Sequence, residues 1–302
     1  MGRIIQILAA VVLVIIFFVI TADPDSQPVS KHPSLQDKIL EKEKDYYQAP
    51  ENAYIDKVWK KTPGLYGKKV NVEKSFQNMK KEGEFDEKKL VFDEIPPSTS
   101  LKDLSPAPIY KGHGKKKAVS FLINVSWGEE YIPDILQTLN KFNIKANFFI
   151  DGAFAQKHKQ LVSMIAEDDH IIGSHGYNHP DFSHLNSSTS EENLTKTNEI
   201  LQAITDDEIE YFAPPSGSFS DVTVQTADKL GMETVLWSVD TIDWKNPTEE
   251  VLTHRVTSKL HNGATILMHP TEVTSNSLDE LITQIDKDYK IVHFSQLISE
   301  KR

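Results

Sequence analysis

The chain begins with a long apolar run. From Ile4 to Ala22 only Gln6 and Thr21 are polar, and a helix rising about 1.5 Å per residue over that stretch nearly crosses a hydrocarbon core of about 30 Å. The pattern predicts a membrane helix within residues 1–22. Bulky Ile20 stands where signal cleavage favours a small residue, so the helix is expected to remain as an anchor, with secretion after cleavage as the alternative. Either outcome puts residues 23–302 on the extracellular side of the cell membrane. Residues 23–50 alternate charges and read as a solvated stalk. Residues 51–112 show an amphipathic run at Val58-Trp59, an extended piece Lys69 to Val72, a helical piece Phe76 to Met79 and a second extended piece Leu90 to Phe92. These predict a small α/β accessory module ending in a Pro-rich linker.

From Ala118 the pattern changes to apolar extended runs alternating with helix-period segments. Strands are predicted at Val119–Val125, Ala146–Ile150, Ile171–Ser174, Tyr211–Pro214, Thr234–Val239, Ala264–His269 and Ile291–Phe294, with helices such as Ile132–Leu139 and Val251–Leu260 between them. Strand-helix alternation of this length implies a parallel sheet covered by helices. Residues 113–302 fall short of the roughly 250 residues of an eight-stranded α/β barrel. A contracted or open (β/α) barrel of about seven strands fits better.

Composition narrows the chemistry. The chain has no cysteine, so a transition-metal site must use His, Asp or Glu, and cysteine nucleophiles are excluded. The net charge of -11 is concentrated after residue 117, where 13 basic side chains face 28 acidic ones. Such a domain repels phosphate backbones, so nucleic acid is excluded as a partner, and a cation or a neutral glycan suits it better. Asn186-Ser-Ser and Asn193-Leu-Thr match glycosylation acceptors, a pattern short enough to arise by chance.

The polar residues that could perform chemistry fall at the C-terminal ends of the predicted strands, where α/β folds place their sites. Ser174-His175-Gly176-Tyr177-Asn178-His179-Pro180 sets two imidazoles four residues apart, a spacing that can share a zinc-class ion but that is more often incidental when it stands alone. Val239-Asp240-Thr241-Ile242-Asp243-Trp244 and Ile266-Leu267-Met268-His269-Pro270 add a strand-end histidine and nearby carboxylates. A carboxylate beside a histidine fixes its tautomer and raises its pKa, which prepares a general acid; the plain alternative is a structural histidine with a capping Asp.

Taken together, a first strand ending near Trp127-Gly128, the Ser-His-x-x-x-His-Pro motif, Pro214-Pro215-Ser216-Gly217, Asp-x-x-Asp-Trp and Leu-x-His resemble the NodB-homology polysaccharide deacetylases, carbohydrate esterase family four. The phrase Ile123-Asn124-Val125-Ser126-Trp127-Gly128 is most similar to their sporulation-associated branch in Gram-positive spore formers. The resemblance covers about residues 117–300. It implies a distorted seven-stranded (β/α) barrel acting on N-acetylated sugars of peptidoglycan type with a metal, usually zinc. It further implies His175 and His179 as metal ligands, His269 as general acid, Asp240 as its orienting carboxylate, and Pro215, Trp244 and Leu267 as walls of the sugar groove.

The same resemblance exposes substitutions. Active members end the first strand with two aspartates, the base and then a metal ligand; here those positions hold Asn124 and Val125. The arginine that pairs with the base is replaced by Ala213. An amide has no useful basicity, and loss of a general base costs roughly 10²- to 10⁴-fold. Loss of Asp and Arg together avoids stranding one buried charge. The expectation is a membrane-anchored, monomeric homologue that contacts cell-wall glycan with weak or no turnover and with zinc weakly bound or absent. The alternative is an active N-deacetylase that borrows a carboxylate from Glu129, Glu130 or Asp181.

Overall fold

A computed structural model describes residues 33–302. The anchor expected within residues 1–22 lies outside the described residues, and among the described residues no helix is long and apolar enough to cross a membrane. The described chain forms two compact units, one of residues 33–47 with 69–93 and one of residues 48–68 with 94–302.

The small unit is built on two helices. Leu35–Tyr46 starts from a capping box between Ser34 and Asp37, which satisfies free N–H groups at the helix start. Val72–Met79 is capped by Asn71, whose side chain accepts from the Lys74 N–H. Ile39, Val70 and Met79 form its buried centre. The extended pieces expected around residues 70 and 91 appear as strands Gly67–Val70 and Phe92–Ile95, which pair with each other.

Of residues 51–112, expected as a small accessory module and a Pro-rich linker, residues 69–93 group with the small unit and residues 51–68 and 94–112 with the large one. There the strands Tyr54–Asp56 and Lys60–Thr62 pair antiparallel. Lys61, 2% exposed, pairs with Glu233 at 2.6 Å, and its N–H donates to the Pro108 carbonyl. Short runs of this kind carry no sequence record of the surface they pack on.

The large unit holds a parallel sheet. Its strands are β1 (Ala118–Val125), β2 (Asn147–Ile150), β3 (Ile171–Ser174), β4 (Tyr211–Phe212), β5 (Glu233–Thr234), β6 (Val239–Asp240) and β7 (Thr265–Met268). They follow the order β6-β7-β1-β2-β3-β4-β5, and β8 (Lys290–Ile291) pairs with the start of β1. Strand β1 is central and buried along nearly its whole length, as a parallel strand covered on both faces should be. Amphipathic helices cover the outside; Ile132–Lys141, for example, buries Ile132, Ile135, Leu136 and Leu139.

Two predicted strands differ from the observed ones. Thr234–Val239 is not one strand but two, β5 and β6, which lie at opposite ends of the sheet order. The intervening residues turn to other partners: the Leu236 N–H donates to the Ile109 carbonyl, and the Ser238 N–H to Thr265. Fully buried Ile109 also donates to Thr234, so a segment from outside the strand-helix alternation completes the wall near that edge. The last predicted strand ends at Ile291, and Phe294 begins the helix Phe294–Ile298. The result is a distorted, incompletely paired barrel of parallel strands.

Candidate active site

Side-chain alternation along β1 sets the foundation of the site. Val119, Phe121, Ile123 and Val125 join the main apolar core, whereas Asn124 lines a cavity of about 360 Å³ at the C-terminal end of the sheet. His175, His179, Asp240, Trp244, Leu267 and His269 line the same cavity. Of the eight residues expected at the site, only Pro215 stays out of the lining. It is buried, and its neighbour Ser216 faces the cavity from a left-handed backbone conformation, φ 56°. Asn124 is 4% exposed, and its Oδ1 has no hydrogen-bond partner. A buried acceptor left unmet is costly.

The two histidines after β3 are held by different means. His175 is buried, with Nδ1 2.7 Å from the Ala213 carbonyl. A carbonyl only accepts, so Nδ1 carries the hydrogen. Burial, with the neighbouring His179 second, pushes its pKa down to about 3. His179 is exposed and sits in a left-handed turn with Asn178, φ 47° and 63°. Its N–H donates to Asp151 Oδ2 at 2.9 Å, while Asp151 Oδ1 caps the next helix through the Ala153 and Phe154 N–H groups. Asn193 clamps Tyr177 from both sides, accepting from its N–H and donating to its carbonyl. The imidazole centroids lie 5.3 Å apart.

The carboxylate that orients His269 is Asp243, not Asp240. His269 Nδ1 is 2.8 Å from Asp243 Oδ1, and Asp243 Oδ2 accepts from the His269 N–H and the Thr274 hydroxyl. Asp243 is fully buried. Asp240 instead accepts from the Ile242 N–H at 2.8 Å, within its own loop. The cause is the backbone of Ile242. A β-branched residue at φ 53° is strained, and the reversal there separates two aspartates that look equivalent by spacing.

Four further residues line the cavity without having been given a site role from the sequence: Ser126, Trp127 and Ser216, which stood within the quoted motifs, and Trp237, which did not. Trp127 lies parallel to His269, with an interplanar angle of 8° and centroids 6.0 Å apart, and is 46% exposed. Gly128 follows with φ +82°, and a Cβ there would stand 2.0 Å from the Pro270 carbonyl. Only glycine fits this close approach. Asp151 and Asn193 also escaped the sequence reading, although an Asp at a strand end before a helix is a legible cap signal.

Substitute carboxylates do not enter the cavity. Glu129 and Glu130 line a neighbouring groove. Asp181 accepts from Ser183 and Ser218, bonds that bring its pKa down to about 2. Asp240 is the cavity's lining carboxylate. Catalytic zinc centres take three protein ligands. Among the described residues no cluster of three or more His, Asp or Glu is arranged to hold a metal ion, and Val125 packs in the core. The pair of imidazoles and an amide do not fit such a centre.

The fold is thus a parallel, incompletely closed barrel whose cavity gathers two histidines and a third histidine held by an aspartate. The family model described as polysaccharide deacetylase matches residues 111–235. The uncharacterised protein YlxY of Bacillus subtilis is 48% identical over 274 residues, 90% of this chain and 86% of the relative. The peptidoglycan-N-acetylmuramic acid deacetylase PdaA of the same organism is 30% identical over 199 residues, 64% of this chain and 75% of the relative. The crystal structure of a CE4 family pseudoenzyme from Bacillus anthracis superposes with a TM-score of 0.82 at 46% identity, covering 89% of this chain and 96% of that one. A mutant of that pseudoenzyme, described as having restored enzymatic activity, matches at 45% identity with the same TM-score. The chain belongs to the polysaccharide deacetylase family, carbohydrate esterase family 4.

Proposed function

We propose that this chain is a membrane-anchored, extracellular member of the family that binds cell-wall glycan of peptidoglycan type and hydrolyses its N-acetyl groups weakly or not at all. The observation that carries this reading is the end of β1, where the side chain facing the cavity is the amide of Asn124 and the next side chain, Val125, is buried in the apolar core. Hydrolysis of an N-acetyl group needs a water relieved of a proton. Asn124 cannot take that proton, and His269 is held in place at the cavity by Asp243. Trp244 and Trp127 are about half exposed beside the cavity and offer flat faces to sugar rings. The neighbouring pseudoenzyme from Bacillus anthracis supports the same reading.

A second reading has one observation in its favour. Asp240 lines the cavity as a carboxylate, and it could accept a proton in a slow turnover. The two readings separate in a single experiment, in which full-length protein is mixed with purified peptidoglycan and both sedimentation and released acetate are measured. Retention on the glycan with acetate at the blank level supports the first reading; steady acetate release abolished by Asp240→Asn supports the second. Failure to sediment with the glycan overturns the binding role.

A further inference from the structure

The large unit has two unlike ends. The cavity lies at the C-terminal ends of the strands, whereas the hairpin of Tyr54–Asp56 and Lys60–Thr62 is tied to their N-terminal ends. Its Lys61 pairs with Glu233, the first residue of β5. Its Trp59 ring lies 6.3 Å from that of His261, just ahead of β7. Lys111, whose ammonium stands 5.0 Å over the Trp59 ring, bridges to Ala264 at the head of the same strand.

This hairpin presents apolar side chains to solvent from a fixed turn. Val58 in the turn is 67% exposed, and Tyr54 and Ile55 are about half exposed. Asp56 Oδ1 accepts from the Val58 N–H at 2.7 Å and the Trp59 N–H at 2.8 Å, which closes the turn. Asp56 is the acid within residues 54–61, and its carboxylate is committed to those two donors. Lys57 and Lys60 on the hairpin and Lys111 beside it leave the tip positive, in a unit whose residues after 117 are strongly acidic.

Aliphatic side chains at a tip, lysines around them and Tyr and Trp behind are the combination that enters the interface of an anionic bilayer. A sugar would need free aromatic faces, but Trp59 lies under the Lys111 ammonium and against Tyr110 and His261. A bilayer is within reach along the chain, since residues 23–53 separate the apolar run Ile4 to Ala22 from Tyr54. We propose that this hairpin docks on the anionic phospholipid surface of the membrane that holds the anchor. Val58 and Ile55 enter the interface, Lys57, Lys60 and Lys111 meet lipid phosphate, and the cavity at the opposite end of the strands is turned toward the wall. The inference rests on the membrane-anchored reading above and goes beyond it, because an anchor alone does not fix which end of the large unit meets the bilayer.

The chain has no cysteine, so one introduced thiol carries an environment-sensitive fluorophore at a single place. Full-length Val58→Cys is labelled and reconstituted into vesicles of phosphatidylglycerol and phosphatidylcholine that contain a headgroup-nitroxide lipid. It is compared with Val251→Cys, at an exposed position on the helix Glu249–Thr257. Both sites are exposed, so neither change threatens the fold, which circular dichroism checks, and vesicle flotation reports the anchor separately. The probe at position 58 should be blue-shifted and quenched by the nitroxide lipid, and the probe at position 251 should be neither. Adding Lys57→Glu should lower the ratio of docked to free populations about tenfold or more, the order expected for reversing one charge at an anionic surface. Added salt should lower it as well. Protein that floats with the vesicles but is quenched no more at position 58 than at position 251 overturns this inference alone. Protein that does not float overturns the anchored reading and this inference with it. Equal docking on pure phosphatidylcholine overturns the charge-based assignment. Shielding that follows added peptidoglycan, or the density of protein in the bilayer, gives the hairpin to the wall or to a second copy and overturns the inference too.

Discussion

Asp243 grips His269 at two points, accepting from its ring Nδ1–H at 2.8 Å and from its backbone N–H, so that ring and chain are fixed together. Thr274 completes the carboxylate's shell at 2.7 Å. The arrangement fixes the orientation of the imidazole and sets its tautomer, whether or not a reaction follows.

Asp243→Asn should therefore destabilise the fold by about 1–3 kcal/mol, because an amide cannot accept all three donors and a buried group is left unmet. Asp240→Asn, at a half-buried strand end with one backbone partner for its side chain, should cost well under 1 kcal/mol on the same grounds. Urea denaturation of the two variants measures the difference. Nitrogen-resolved NMR of His269 should show the Nδ1–H tautomer in the unmodified protein and a mixture in Asp243→Asn. Equal stability losses in the two variants would put the orienting role back on Asp240.

Gly128→Ala and Gly231→Ala separate conformational strain from collision. Both glycines have φ near +80°, but a Cβ at Gly231 meets nothing within 4 Å, whereas one at Gly128 meets the Pro270 carbonyl at 2.0 Å. Gly231→Ala should cost about 1–2 kcal/mol from the left-handed backbone alone. Gly128→Ala should cost clearly more and should disturb the Trp127–His269 stack, visible as a change in tryptophan fluorescence. Similar thermal shifts for the two would contradict the close approach.

His170 lies away from the cavity, at the start of β3, and is 4% exposed, with Nδ1 accepting from the Ala146 N–H. Burial, aided by the Lys145 charge, pushes its pKa from 6.5 down to about 4. The unfolded chain then binds a proton that the folded chain refuses. The contribution of this group to stability is full above about pH 6.5 and is lost as pH falls from there toward 4. Denaturation midpoints across that window should fall more steeply in the unmodified protein than in His170→Phe, and proton NMR should place the His170 titration near the lower value. A titration of His170 near 6.5 would contradict its burial.

The metal chemistry makes a separate prediction. Unmodified protein should show no thermal stabilisation by zinc beyond that of a surface-histidine control, since two imidazoles are not a closed site. Asn124→Asp combined with Val125→Asp and Ala213→Arg should be less stable without metal, because Val125 and Ala213 are buried among apolar side chains and new charges there are costly. Zinc should raise its melting temperature. No zinc response in the triple variant would contradict the assignment of these positions to the family's motif.

The sequence made the strand-helix alternation legible because parallel strands buried on both faces read as apolar runs, and β1, β2, β3 and β7 fall within a residue or two of expectation. His175, His179 and His269 were legible from their positions at strand ends. What stayed hidden depended on backbone reversals and distant partners. The turn at Ile242 decides between Asp240 and Asp243; Ile109 completes the wall beside β5 from outside the alternation; and Asn193, which resembled a glycosylation acceptor, clamps the histidine loop through Tyr177. None of these leaves a periodic trace.

The account stands on the loss of the proton acceptor at Asn124. The most direct measurement is acetate released from N-acetylglucosamine oligomers by full-length protein with zinc present, run beside the Asn124→Asp, Val125→Asp, Ala213→Arg variant. The account predicts release at the level of the protein-free blank for the unmodified chain and measurable release for the variant. Sustained multiple turnover by the unmodified chain would contradict it.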